Sequence, residues 1–265
     1  MVGFSVLTVP VGAALNFQRW SPRRIRVFSL IIVILIWQLA AYFTDKDILP
    51  APYQVFQSLI SHLQEGELIA DLGATLFRVL LSFMFAMALG VALGIVMGRN
   101  KNWDAALDGV LILALNLPAL VTIILCYLWF GLDEFAAILA VAINKFPIVV
   151  VNMREGARAV NPDLLQVSKA FRLDWRSNLF KVYLPQLYPY LLASARSGLA
   201  LVWKIVLVVE LLGRSNGVGF KLGIFFQFFD ITSILAYSLA FIAIVMAIEY
   251  LLIAPLDRRL MQWRC

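Results

Sequence analysis

Charge is scarce in this 265-residue chain: Asp, Glu, Lys and Arg together make up 14% of it, against about a quarter in a soluble domain. Histidine is reduced to His62 alone, in a polar stretch, which leaves no basis for a histidine metal site. Cysteine is limited to Cys126, inside an apolar run, and Cys265, so a disulfide scaffold is excluded. No phosphate-cradling glycine-lysine loop is present, so any ATP must be bound elsewhere. Short segments of alternating hydrophobicity are also missing, which excludes a membrane β-barrel. What is present is apolar: 62% of the residues are hydrophobic and the mean hydropathy is +0.88. One soluble core cannot hide that much, and several segments reach the roughly 20 apolar residues that cross a bilayer. Composition thus excludes a soluble enzyme, a nucleic-acid-binding domain and a disordered chain. The expectation is an all-α integral membrane protein, multi-pass.

Hydropathy places about six transmembrane helices, at about 27–43, 72–98, 105–130 (interrupted at Pro118), 135–153, 187–212 and 231–254. Residues 1–26 read as a cytoplasmic or interfacial N-terminal segment rather than a removed signal peptide, because they have no basic n-region before the apolar stretch. Residues 27–265 form the membrane domain. The 45–71 stretch reads as an acidic loop, and the stretch before Asp230 as a glycine-rich one. The net charge of +6, from 22 basic against 16 acidic residues, distributes unevenly. With the N-terminus inside, Arg19, Arg23, Arg24, Arg26, Arg99, Lys101, Arg154, Arg158, Lys169, Arg172, Arg176, Lys181, Arg258, Arg259 and Arg264 fall on the cytoplasmic side. The other side receives Lys46, Arg214 and Lys221. That asymmetry predicts both termini in the cytoplasm.

Residues 154–186 are too polar to span and long for a link between neighbouring membrane helices. Pro162-Asp163 opens a helix-like pattern, Asp174-Trp175-Arg176-Ser177 reads as a break, and a second helix is expected to stop near Leu184-Pro185. By periodicity alone, an amphipathic hairpin lying on the membrane surface is as good a reading as a docking element.

The spacing in this stretch resembles the cytoplasmic motif Glu-Ala-Ala-x3-Gly-x9-Ile-x-Leu-Pro of bacterial ABC importer permeases. The aligned residues are Gln166-Val167-Ser168, Arg172 beyond Ala170, and Val182-Tyr183-Leu184-Pro185. The acid, the small pair and the turn glycine of the motif are replaced, and Arg172 takes a left-handed turn less cheaply than glycine. Leu49-Pro50-Ala51-Pro52, Thr75-Leu76-Phe77-Arg78-Val79-Leu80 leading to Gly90, Gly94 and Gly98, Trp129-Phe130-Gly131-Leu132, Trp203-Lys204 with Glu210, Gly217-Val218-Gly219, and Arg258-Arg259-Leu260 with Trp263-Arg264 are similar to nitrate/sulfonate/taurine permeases. The resemblance runs from about residue 27 to the C-terminus. It implies the type I importer permease fold, and it implies that 154–186 forms a coupling helix seated on an ATPase. The expected partners are a second permease subunit (a homodimer), two ATP-binding subunits carrying ATP and Mg, and a periplasmic solute-binding protein. The expected location is the bacterial inner membrane, with no cofactor on this chain.

Ionisable residues inside spans are costly, and so they are the functional candidates. They are Arg78, Lys145, Arg196, Lys204 and Glu210, joined by Asn116 at the break before Pro118 and by Trp203. For Arg78 a snorkelling role stands beside a functional one. Lys204 and Glu210, six residues apart, should not pair within one helix, so Glu210 should meet a basic residue on another helix or the binding protein. Glu249 reads as a partner for a cation, and Asp108 as solvated. Gly90, Gly94 and Gly98 share one helix face suited to close packing within the subunit. Phe225, Phe226, Phe228 and Phe229 read as interfacial or re-entrant anchors, or a lid. The excess of Lys145, Arg196 and Lys204 favours a small anion such as nitrate, a sulfonate, taurine or bicarbonate. Simple inter-helix ion pairing is an equal alternative for these residues. A neutral or cationic solute, and an ion-driven secondary carrier, stay open as rival functions. The latter is disfavoured because no internal repeat is evident.

Overall fold

The structure, a computed structural model, describes residues 21–45 and 48–255. The expectations for residues 1–20, Lys46, Arg258, Arg259, Leu260, Trp263, Arg264 and Cys265 lie outside the described residues. The chain divides into two compact units, Met1–Gln54 and Val55–Cys265.

In the first unit, α1 (Pro22–Phe43) starts with proline at its first turn, where a missing N–H costs nothing. Its apolar run stays almost wholly exposed, as suits a span facing lipid. The Trp37 indole donates to the Pro50 carbonyl at 3.1 Å.

The acidic stretch after it is not a loop. Helix α2 (Pro52–Glu65) forms there, opened by proline and by the Gln54 side chain, which accepts from the Ala51 N–H at 2.9 Å. Val55 on one face of α2 is buried, while Tyr53 and Phe56 are exposed. His62 is accordingly not a loop residue. Its ring packs at 5.2 Å from Tyr237, and its Nε2 lies 3.0 Å from the Ser233 hydroxyl.

Gly66, at φ +81°, turns the chain into α3 (Glu67–Arg99). The long contact of the bundle is between α3 and α6 (Glu134–Arg158). Gly90, Gly94 and Gly98 lie on Val149, Met153 and Ala157, where an added Cβ would stand 2.6 Å from each neighbour's Cβ. The close-packing expectation for these glycines holds within the subunit. Between α3 and α6 in sequence, α4 (Lys101–Asn116) and α5 (Ala119–Phe130) meet at 98°. The predicted interruption at Pro118 is therefore a sharp bend. Leu117, pushed to extended backbone by the proline after it, ends α4.

The polar stretch holds α7 (Pro162–Ala170) and α8 (Trp175–Asn178). The second helix does not stop at Leu184-Pro185. A π-helical turn, Leu179–Tyr183, carries α8 into α9 (Leu184–Gly213), making one 39-residue run. Pro185 falls in the first turn of α9, and the wider turn before it absorbs the lost donor. The glycine-rich stretch likewise contains a helix, α10 (Val218–Gln227). Gly219 and Gly223 on it serve close approach to α9 rather than chain breaking: a Cβ on Gly219 would strike the Leu207 carbonyl, and one on Gly223 the Leu211 side chain. Phe225 packs 5.1 Å from Tyr237, whereas Phe226, Phe228 and Phe229 are exposed. Last come α11 (Ile231–Ile248), capped by Asp230 accepting from the Ser233 N–H, and a π turn over Glu249–Ile253.

Among the described residues, five helices are long and apolar enough to cross a membrane, or six if the bent α4–α5 pair is one span. The core lies where α3, α5, α6, α9, α10 and α11 meet, around Leu68, Val79, Ile123, Val141, Val206 and Tyr237.

Candidate functional site

Two sites occupy opposite ends of α9. At its C-terminal end a polar network gathers side chains from α3, α6, α9 and the α9–α10 turn. Arg78, 2% exposed, does not snorkel: it is enclosed by acids from distant parts of the chain. Its Nε and Nη2 donate to the two oxygens of Glu134 at 2.8 and 2.6 Å, a bidentate fork, and its Nη1 donates to Glu210 at 2.6 Å. Nη1 also reaches the Asn216 carbonyl at 3.0 Å, and Nη2 the Asn216 side chain. Glu210 is fully buried and accepts in addition from the Thr75 hydroxyl and the Gly219 N–H. Arg214 returns to Glu134 at 2.7 Å. The two arginines thus pair with Glu134 and Glu210, as charges withdrawn from water require. Asp71 accepts from the Gly217 N–H, and Thr75 from the Val218 N–H, so the start of α10 is tied to α3. Gly217 has φ +106° and lies against Glu210 and Arg78, which leaves no room for a side chain.

Glu210 was expected to find its partner on another helix, and it does. Glu134, Asp71, Thr75, Arg214 and Asn216 were not foreseen as members of this network. The one signal available beforehand was an acid at the mouth of an apolar run, at Glu134 and Asp71, which reads equally well as a loop residue.

At the N-terminal end of α9 sits the 154–186 segment. Arg154 pairs with Asp108 at 2.6 Å and Arg158 pairs with Asp104, so α4 and α6 hold the base of the segment together. The Asn161 N–H donates to Gln186 at 2.9 Å, joining its entry to its exit. Within it, Ser168 is buried, its hydroxyl 2.8 Å from the Leu165 carbonyl and 3.1 Å from Asn178 Oδ1. Ala170 ends α7, and Arg172 then takes φ +50°. The side chain that disfavours a left-handed turn therefore adopts one, held by its N–H on the Lys169 carbonyl and by the Leu173 N–H on the Ser168 carbonyl. Asp174 caps α8, and the hydrogen bonds from Ser177 hold its carboxyl below the usual aspartate range. Gln166, Val167, Phe171, Leu173, Trp175 and Phe180 are exposed, leaving an apolar face uncovered.

The remaining candidates lie between these ends and do not form one cluster. Lys145 is fully buried. Its Nζ donates to the Ser194 carbonyl at 3.1 Å, and its chain lies across Gly198, where any Cβ would clash with it. Arg196 pairs with Glu249 at 3.1 Å, as expected for that acid. Asn116 is exposed and donates back to the Ile112 carbonyl. Trp203 packs edge-on against Phe241 at 5.7 Å, beside the exposed Lys204. Asp108 is not simply solvated, since it holds Arg154.

Residues 87–260 match the family model described as "Binding-protein-dependent transport system inner membrane component". The chain is 31% identical to SsuC of Bacillus subtilis (strain 168), named for aliphatic sulfonate transport, over 88% of this chain and 85% of that one. It is 27% identical to the taurine transport system permease TauC of Escherichia coli (strain K12), over 92% of each. It is 28% identical to the nitrate import permease NrtB of Synechocystis, over 76% of each. Among solved structures, an inward-facing MetNI methionine ABC transporter matches with a TM-score of 0.62 at 16% identity, over 73% of this chain and 95% of that one. An amino acid ABC transporter matches with a TM-score of 0.59 at 20% identity, over 76% and 98%. These two establish the fold. The chain belongs to the family of binding-protein-dependent transport system inner membrane components, the ABC permease subunits of the sulfonate, taurine and nitrate type, and it is a transport component rather than an enzyme.

Proposed function

We propose that this chain is the permease of an importer that receives a small anionic solute from a periplasmic binding protein and passes it inward by ATP-driven alternating access. Two copies would pair in the inner membrane, 1–26 and both termini lying on the cytoplasmic side. Two ATPase subunits, carrying ATP and Mg, would seat on residues 154–186 of the membrane domain 27–265. In that loop Gln166, Val167, Ser168, Ala170 and Arg172 form the docking element, and Leu184 and Pro185 lead into α9.

The observation that carries the reading is the exposed α7 with its left-handed turn at Arg172, after which α8 runs through the π turn into a membrane helix. A partner that moved this surface would move α9 directly. Arg78, Asn116, Lys145, Arg196, Trp203, Lys204 and Glu210 are the proposed pathway set, of which Arg78 and Glu210 act structurally, as an ion-paired fastening. The preference for an anion is supported by Lys145 and Lys204, which make no ion pair among the described residues, and by the names of the relatives.

Co-expression with an ATPase and a binding protein, followed by pull-down and ATPase assay in nanodiscs, tests the reading. A stable complex whose hydrolysis rises with loaded binding protein is expected. A chain that purifies alone and moves solute on an ion gradient overturns it.

A further inference from the structure

Lys145 stands midway along α6 and is fully enclosed, and an ionisable side chain at that depth in a span is a candidate for function. Its ammonium carries more N–H groups than one acceptor can serve. One donates to the Ser194 carbonyl on α9 at 3.1 Å, and no ion pair forms among the described residues. That carbonyl is shared, because the Ser197 hydroxyl also donates to it, at 3.4 Å. The Ser194 side chain is fully buried too, and its own hydroxyl has no partner among the described residues. The stem of Lys145 fills a notch at Gly198, where any added Cβ would collide with it. Arg78, enclosed almost as completely, is met by the carboxylates of Glu134 and Glu210.

A buried donor left without an acceptor disfavours the packing that buries it, and a lone ammonium does so more strongly than a hydroxyl. A methionine would fill the notch at Gly198 and leave nothing unpaired. The seam between α6 and α9 is therefore packed against a resistance that water would relieve. Its two ends differ. Where α6 begins and α9 ends, Glu134 and Glu210 are tied together through Arg78, with Arg214 also on Glu134. At the opposite end Gly156 lies against the Tyr190 ring, an apolar contact. Beside it α9 holds Pro185 and Pro189 and follows the π turn Leu179–Tyr183, features at which helices bend. Ser194 lies about one and a half turns beyond Pro189. A seam tied at one end and bendable at the other can open at the second, and Lys145 is the group that gains when it does.

We propose that Lys145 biases the α6–α9 seam to open during transport: when the N-terminal part of α9 bends away from α6, the ammonium leaves its dry notch and meets water. Lys145 is a positioning residue in this sense, because it acts through the balance between two packings of α9 on α6. The proposal rests on the importer reading for the claim that the opening belongs to a transport cycle. The resistance at the notch belongs to the chain alone, so the two can fail separately.

For the full-length chain in nanodiscs, Lys145→Met should raise the thermal midpoint by about 3 °C or more, as expected when an apolar side chain of similar volume replaces an uncompensated buried charge. Lys101→Met, at an exposed position, is the control and should leave the midpoint unchanged. An unchanged or lower midpoint for Lys145→Met overturns the proposal, since Lys145 would then be a stabilising key between the helices. The unaltered chain, assembled with its ATPase and binding protein, is next treated with a water-soluble acetylating reagent. The treatment is made without nucleotide, with ADP, and with ATP plus vanadate, and acetyl-Lys145 is quantified by mass spectrometry against acetyl-Lys101. Acetylation of Lys145 should be about tenfold or more faster in one of these states than in the slowest, as a minor packing becomes the major one. Equal or absent acetylation of Lys145 in every state of an importer that hydrolyses ATP overturns the proposal. If no active importer assembles, it is the importer reading that fails, and the midpoint of Lys145→Met decides alone.

Discussion

Arg78 and Glu210 stand 132 residues apart in sequence and 2.6 Å apart in the folded chain, with neither side chain open to solvent. Removing one member would strand the other as a buried charge, which costs about 3–5 kcal/mol. Arg78→Met or Glu210→Met alone should therefore lower thermal stability in detergent strongly. The double variant should recover much of the loss, because Glu134 and Arg214 would still neutralise each other. Strictly additive losses would show that the pair is not coupled.

Glycine on the α3 face that meets α6 admits nothing larger. A Cβ at position 94 would lie 2.7 Å from the Val150 carbonyl oxygen, which belongs to backbone and cannot step aside. Gly94→Ala should destabilise by about 1–3 kcal/mol. Gly73→Ala, with open space around it, is the control and should be close to neutral. Both are read from unfolding of the purified chain.

The turn at Arg172 is the place to separate folding from coupling. Arg172→Gly should stabilise slightly, by about 1 kcal/mol, since glycine takes φ +50° without steric cost. Arg172→Glu and a bulky change at Ser168 should abolish ATP-driven uptake in the reconstituted importer while the subunit still folds. Survival of uptake after both changes would remove the coupling role from this loop.

Asp174 gives the segment a defined pH response. Its carboxyl is held below the usual aspartate range by Ser177, so the cap's contribution is complete above the unfolded value and is lost only as pH falls through the lowered folded one. Protection of the first α8 amides from hydrogen exchange should be flat through neutral and mildly acidic pH and then fall. Asp174→Asn, which keeps a capping oxygen, should flatten the acid limb. Asp174→Ala should show weak protection throughout.

Spans, the break at Pro118 and the surface helix at 162–170 were legible in the sequence because each depends on local pattern: an apolar run, a proline, a run of exposed charge. Even the partner class of Glu210 could be argued, since a residue six positions from Lys204 faces another way. Four features were illegible, three of them because their meaning lies in contacts far along the chain. The glycines at 217, 219 and 223 look like chain breakers until α9 is placed against them, and then they are the condition for α10 to pack. Arg78 looks like a snorkelling residue until Glu134 and Glu210 close over it. Pro185 looks like a helix end until the π turn before it takes up the missing donor. His62 and the acids around it suggest a loop, and only the apolar pocket of Tyr237 and Phe225 reveals a helix lying on the bundle.

The unbroken run from Trp175 to Gly213 has a mechanical consequence. At about 1.5 Å per residue it is a shaft of roughly 58 Å, with the exposed Trp175 at one end and Glu210 near the other. No residue in extended backbone interrupts it, and the places where it can bend, the π turn at Leu179–Tyr183 with Pro185 and Pro189, are gathered toward its exposed end. Beyond that end the run is uninterrupted helix up to Glu210, so the Arg78–Glu210 fastening lies at the far end of its straight part.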